Sequence, residues 1–281
     1  MKKIDMTERV QEVWQYFDEM LDQRIAEISK QSEVPLEQFI KINPAEFIEN
    51  NPHFRIKGTK CGGGNEIRRF IEKNKKDDTF LISPLDAIEE TIEQISYKAN
   101  TQVDRILRAS KCKVRPCPPE LAQDFFIRNH RQSAPNIRAS ALCFGLDYKG
   151  ELVAVMLYDK QNGAVRGSKT GYELVRLAIS KNTRIHGGAS KLQKACENAL
   201  RKIGIHEIFS YSNATINTGA VYRALGFQEG RINEGQPFVI LKNNVIVRLV
   251  SLYPKTTNGE LAMRGWLKTH IGGNKMWVKD I

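Results

Sequence analysis

Apolar residues recur at steps of three and four through Val10, Val13, Trp14, Phe17, Met20, Leu21, Ile25 and Ile28, which predicts an amphipathic helix over residues 5–30. Pro35 and Pro44 each stand where a short helix would begin, Leu36 to Ile42 and Ala45 to Asn50. Asn51-Pro52 and Cys61-Gly62-Gly63-Gly64 are breaks. Glu66 to Asn74 reads as helix, and Ile88, Ile92, Ile95, Val103, Ile106 and Leu107 predict a long helix from Asp86 to Ala109. Residues 1–110 therefore read as a small all-helical N-terminal domain.

From Lys111 the period shortens. Cys112 to Pro116 is a short strand, and Pro118-Pro119-Glu120 opens a helix through Phe125, Phe126 and Ile127. Strands follow at Ala141 to Asp147 and Glu151 to Tyr158 about the Lys149-Gly150 turn, then at Ala164 to Gly167 and 172–180. A helix over 189–203, a strand over 206–212, a helix over 217–225 and a strand over 236–242 complete the pattern. The tail, 246–281, keeps Val247, Leu249, Leu252, Trp266 and Trp277, so it is expected to pack as an extension of a second domain over 111–281.

The chain has 281 residues, 41% of them hydrophobic, enough to bury a core. No run approaches the length of a membrane span, and Met1 to Asp5 leads into charge, so a cytoplasmic protein with no membrane partner is expected. Cys61, Cys112, Cys117, Cys143 and Cys196 are odd in number and lack paired metal spacing; they read as reduced thiols, with no metal site. Charge is unevenly placed: residues 1–100 hold 15 basic and 19 acidic side chains, residues 101–281 the other 28 and 13. The basic portion suits a polyanion such as nucleic acid or an acidic protein face. The acidic N-terminal region lacks a basic recognition face, and its apolar stripe suits docking or homodimerisation.

Arg184-Ile185-His186-Gly187-Gly188-Ala189 lies between a strand and the helix that Ser190-Lys191-Leu192 opens. Side chains are nearly absent at that helix start, so unpaired backbone N–H groups and the helix dipole make a candidate diphosphate site. Arg184 and Lys191 stand near as cations. Arg184-x-x-Gly187-x-Ala189 resembles the pyrophosphate signature of the GNAT superfamily of N-acetyltransferases. Asn217, Ala220, Tyr222 and Gly226-Phe227 resemble that superfamily's second CoA-side helix.

The resemblance covers roughly 111–245 and implies a mixed central sheet flanked by helices, with acetyl-CoA or a related acyl-CoA as cofactor. It assigns the cradle to the backbone of His186, Gly187, Gly188, Ala189 and Ser190, with Asn217 on the second helix. Backbone N–H groups of Leu177 and Ile179 would hold pantetheine and the thioester carbonyl, where the superfamily splays its fourth and fifth strands. Tyr222 matches the position whose hydroxyl lies near the CoA sulfur, a general acid for the thiolate. Glu173 is the candidate base; on a regular strand it shares a face with Val175, Leu177 and Ile179, which desolvates it and raises its pKa. Arg176, on the opposite face with Tyr172 and Ala178, needs an anionic partner. The segment holding Arg128, His130 and Arg131 is one that lines the acceptor site in this superfamily.

A narrower stretch, Leu174 to Leu177, Ser210 to Asn213 and Thr218 to Tyr222, resembles the phage Mom-type DNA-modification proteins, which act on a base in DNA. Arg176, Tyr211, Ser212 and Tyr222 are the matching positions; Asn213 stands where Asp is expected, so it cannot serve as a base. Arg128, Arg131, Arg138 and Arg166 would read phosphates, and Phe125, Phe126 or Tyr211 would stack on an extruded base. Three readings stay open: a CoA-dependent enzyme modifying a base in nucleic acid, a protein or small-molecule N-acetyltransferase, and a non-catalytic DNA-binding module of the same fold.

Overall fold

A computed structural model describes residues 7–48, 64–76, 78–98, 103–130, 135–160, 171–215, 217–233, 235–252 and 258–281. The first helix, α1, spans Thr7–Ser32 and buries the predicted stripe, with Val10, Val13, Phe17, Leu21, Ile25 and Ile28 no more than 7% exposed. Glu33 in the left-handed region ends it, and Pro35 prevents its resumption. Leu36 to Ile42 is not the helix its period suggested. Only Leu36–Gln38 turn as a 3-10 segment, and Phe39–Lys41 form β1. β1 pairs in parallel with a later strand, Phe39 against Phe80, and that tertiary pairing overrides local helix preference. Of the helix expected over Ala45 to Asn50, the described residues form the 3-10 turn Pro44–Phe47, capped by the Asn43 side chain, and residues 49–50 lie outside the described residues.

Next come α2 (Gly64–Asn74), β2 (Phe80–Ile82) and α3 (Ile88–Lys98). The long helix expected to reach Ala109 is described as far as Lys98, and it does not extend through residues 105–109. Residues 105–108 form strand β3, with Ile106 64% exposed and Leu107 7%. Those two positions satisfied a helical spacing and a strand alternation equally well, and pairing decides for the strand.

The central region is β4 (Lys113–Pro116), α4 (Pro119–Asn129), β5 (Leu142–Tyr148), β6 (Glu151–Lys160), β7 (Tyr172–Ile179), β8 (Thr183–His186), α5 (Gly188–Lys202), β9 (Glu207–Asn213), α6 (Ala220–Ala224) and β10 (Gln228–Ile232). The strand expected at Ala164 to Gly167 lies outside the described residues. The remainder is β11 (Gln236–Ile240), β12 (Ile246–Arg248), α7 (Leu249–Leu252), α8 (Asn258–Met263), β13 (Leu267–Ile271) and β14 (Asn274–Asp280).

The chain divides into two compact units. One takes the described residues of Met1–Ala99, Asn213–Thr218 and Ile232–Lys275; the other those of Asn100–Ser212, Gly219–Arg231 and Met276–Ile281. In the first, β11 is central to a sheet of order β12-β11-β13, so it does not extend the mixed sheet as its place in sequence suggested. Ile42, Phe47, Ile67, Ile71, Leu81, Phe238 and Ile271 share one core there.

The second unit holds a seven-stranded sheet of order β10-β14-β9-β7-β6-β5-β4. The position in the sheet beside β9 is filled by β14, from the end of the chain. One face of the sheet packs Leu146, Met156, Tyr158, Leu174 and Trp277 against Leu192, Cys196 and Leu200 of α5. The other packs Val155, Leu157 and Ala178 against Ala122, Phe125 and Phe126 of α4. A parallel pair of β3 and β8, Arg108 opposite His186, leads into α5.

Trp277 anchors the β14 end of this core. It is fully buried, stacks on Tyr222 with centroids 5.1 Å apart and donates from Nε1 to Ser212 Oγ at 2.9 Å. Gly219, at φ +82, admits it: a Cβ there would lie 1.9 Å from Trp277 Cζ2. Gly219→Ala is therefore expected to destabilise by about 3 kcal/mol, combining overpacking with a left-handed backbone. Urea unfolding checks this; a loss under about 1 kcal/mol would show that the indole yields freely.

Candidate active site

Where β7 passes between its two neighbours, the sheet opens. Against β9 it pairs in parallel at only three positions, Tyr172 with Ile208, Glu173 with Phe209 and Leu174 with Ser210. Beyond Leu174 it stays paired to β6 as far as Ile179. The two parallel strands thus part halfway along, leaving a V at their C-terminal ends.

A bulge sits at the same point. Tyr158 pairs with Leu174 and Leu157 with Arg176, so Val175 is an extra residue and the alternation of β7 reverses across it. The shared face expected for Glu173, Val175, Leu177 and Ile179 is therefore broken. Leu177 and Ile179 join Leu174 on the α5 face. Glu173, opposite Asp159, and Arg176, opposite Leu157, come to the α4 face together. The sequence placed these two on opposite faces; the bulge brings acid and guanidinium to one.

The amide directions follow from one bond. Ser180 N donates to Val153 O at 2.9 Å, which makes this cross-strand pair hydrogen-bonded. In an antiparallel ladder such pairs alternate, so Ala178 and Arg176 bond to β6 while Leu177 and Ile179 turn their N–H groups to the other edge. That edge is the V, where β9 no longer pairs.

Tyr222 stands at the apex. Its Oη donates to Tyr211 O at 3.2 Å and lies 3.3 Å from Ser210 Oγ, which itself donates to Leu174 O at 2.8 Å. Ser210 thus closes the last rung before the strands separate and holds the phenol over the opening. Trp277 stacks on the ring and Phe227 meets it edge-on at 5.8 Å. Burial raises the phenol's pKa; Glu173 adds to this, while Ser210 and Arg176 oppose it. The group therefore stays protonated at neutral pH and able to donate. Burial lowers the Arg176 pKa against the opposing charges of Glu173 and Tyr222. Its Nη1 donates to Val175 O at 2.7 Å, across the bulge.

The helix mouth of α5 carries no side-chain cap. Gly187 occupies the cap position at φ +74, and Gly188, Ala189 and Ser190 open the helix. The two glycines serve different needs. Gly187 supplies the left-handed turn, whereas a Cβ on Gly188 would come within 2.9 Å of the Ile185 side chain. Gly187 and Ser190 are exposed, Arg184 is half-buried and His186 is exposed. Lys191 is not a free cation here: its Nζ donates to Ala109 O at 2.9 Å and Cys112 O at 2.6 Å, tying the helix start to the turn before β4.

The remaining predicted residues are placed as follows. Ser212 is buried and accepts from Trp277. Tyr211, half-buried, meets Phe209 edge-on. Asn213 Oδ1 accepts from Thr215 N at 2.9 Å and Oγ1 at 2.6 Å, closing a turn after β9, and Asn217 precedes α6 without entering it. Arg128 is exposed on α4, and His130 follows its end, edge-on to Phe126. Arg131 and Arg166 lie outside the described residues. Asp159 drew no notice in the sequence; Trp277 was read only as a packing residue of the tail, and Ser210 only as part of a resembling stretch, neither with a role at the site. Cys112, Cys117, Cys143 and Cys196 are buried free thiols, and no described helix is long and apolar enough to cross a membrane.

The comparisons with known proteins fall on this same region of the chain. Residues 107–227 match the model of the Acetyltransferase (GNAT) family. The matched segment has the GNAT fold, and β10 and β14 complete its sheet with strands that reach beyond it. Solved structures that match include a Bacillus subtilis acetyltransferase in complex with CoA, 13% identical over 61% of this chain and 99% of that chain, TM-score 0.41. Another is the ribosomal-protein-S18-alanine N-acetyltransferase of Escherichia coli, 16% identical over 60% and 94%, TM-score 0.40. A GNAT family acetyltransferase of Elizabethkingia anophelis with acetyl-CoA bound is 12% identical over 61% and 99%, TM-score 0.39. No curated protein matches the chain.

Proposed function

We propose that this protein transfers an acyl group from acyl-CoA to an amine nitrogen, and that the acceptor is an amino group on a nucleic-acid base. The observation that carries the first part is the parting of β7 from β9 beneath the Tyr222 hydroxyl. A pantetheine arm laid in that V would accept from the Leu177 and Ile179 N–H groups as an added strand does. Its diphosphate would meet the amides of Gly188, Ala189 and Ser190 at the α5 mouth.

The amine nitrogen attacks the thioester carbonyl, forming the C–N bond as the C–S bond breaks. Glu173 takes the amine proton, and Tyr222 donates to the departing sulfur. Arg176 lies on the same face as Glu173 and carries the opposite charge. The nucleic-acid acceptor rests on charge: residues 101–281 hold 28 basic against 13 acidic side chains, more than one CoA needs.

Acetyl-CoA at a hundred times its Kd is expected to stabilise the native state by about 2.7 kcal/mol, a rise in Tm of roughly 5 °C or more. No rise would overturn the acyltransferase reading. Nucleoside mass spectrometry of DNA incubated with protein and acetyl-CoA is expected to show an acylated base. Unmodified nucleosides beside an acylated lysine peptide or free amine would move the acceptor to protein or small molecule.

A further inference from the structure

On the α4 face of the sheet, Asp159, next to the last residue of β6, stands directly opposite Glu173 of β7. It is 6% exposed. Its Oδ2 lies 3.6 Å from Arg138 Nε, an ion pair too long for a hydrogen bond, while Arg138 Nη1 donates to Lys160 O at 3.2 Å. Its Oδ1 is buried and has no hydrogen-bond donor among the described residues. A buried carboxylate oxygen left unpaired loses its hydration without compensation, so a fold rarely keeps one without use. Its neighbours along β6, Tyr158 and Leu157, are core residues, so this acid stands at the edge of an apolar run.

We infer that Asp159 binds the acceptor, its Oδ1 accepting one N–H of the amino group that is acylated. The inference rests on the acyl-transfer reading and deepens it. Cross-strand partners stand side by side, so a nitrogen within reach of Glu173 is within reach of Asp159 as well. A primary amino group has two hydrogens for these two carboxylates. One leaves to Glu173 as the C–N bond forms; the other stays on the product amide, held by Asp159 throughout. A secondary amine surrenders its single hydrogen to Glu173 and leaves Asp159 unpaired. The chemistry selected is therefore a primary amino group, and an N-methylated one is excluded.

Asp159→Asn keeps the shape but turns part of the group into a donor. With saturating acetyl-CoA and a single-stranded oligodeoxynucleotide as acceptor, its KM for the oligonucleotide is expected to rise ten- to a hundredfold. Propylamine replaces the oligonucleotide if that gives no product. The Kd for acetyl-CoA should not change. The wild type should reject the N-methylated form of the same acceptor, and the variant should discriminate less. Because the free protein gives up an unpaired buried oxygen, Asp159→Asn should also melt within about 2 °C of wild type or above it. An acceptor KM within twofold of wild type overturns the inference. So does a Tm lowered by more than about 5 °C, which would assign Asp159 to the fold whether or not either acceptor reacts. A wild type that binds no acetyl-CoA instead overturns the acyl-transfer reading itself.

Discussion

Tyr222→Phe is expected to lower kcat for acyl transfer by about a hundredfold or more while the Kd for acetyl-CoA changes less than threefold. The hydroxyl is the only part lost. The ring keeps its stacking on Trp277, so the pocket retains its shape. The hydroxyl's bond to Tyr211 O and its contact with Ser210 are worth about 1 kcal/mol of stability, too little to unfold the domain. Steady-state kinetics on the most reactive acceptor, with calorimetric titration of acetyl-CoA, separates the two effects. Unaltered kcat would remove the acid role from Tyr222. The pH profile adds a second readout. Since burial raises this phenol's pKa, the alkaline loss of its proton falls above the ordinary phenol value of about 10, and activity should not decline on its account below that. The native state holds the proton more tightly than the unfolded chain does. Its contribution to stability is complete below about pH 10 and is lost as the pH rises through the raised value.

Gly187→Asp is expected to weaken acetyl-CoA binding at least a hundredfold. A carboxylate about 4 Å from a phosphate charge opposes it by roughly 4 kcal/mol at an effective dielectric of 20, and exposure at the helix mouth reduces this by part. Asp tolerates the left-handed conformation at a cost of about 1 kcal/mol, so the fold should persist. Gly187→Asn is the matched control, with the same backbone demand and no charge; its Kd should stay within tenfold. Calorimetry on both variants decides the matter: an Asp variant that binds like wild type means that the diphosphate does not sit at α5.

The bare helix mouth of α5 was legible because each of its features is local. A glycine pair between a strand and a helix, with Arg184 before it and a helix after it, specifies turn, close approach and bare amides within six residues. The Val175 bulge was not legible. Tyr172 to Ile179 reads as an unbroken strand, and nothing in its composition marks the one residue that β6 leaves unpaired. That residue decides which face Glu173 shares, and with it the pairing of the candidate base with Arg176 and Asp159. The strand β3 was lost to a coincidence of periods, and β1 to a preference that its partner β2 overrode. The place of β14 in the sheet was out of reach for another reason: the residues it neighbours lie some 65 positions earlier in the chain, as Trp277 and Ser212 show.

What the chain determines by itself is most of the described elements from Lys113 to Phe227, β8 excepted, and the local geometry at their junctions, because turn geometry, helix caps and alternating burial depend on near neighbours. What tertiary structure decided is how those junctions face one another. The V between β7 and β9, the phenol held at its apex by Ser210, and the terminal strand beside β9 all depend on contacts between distant residues, and no local preference encodes those.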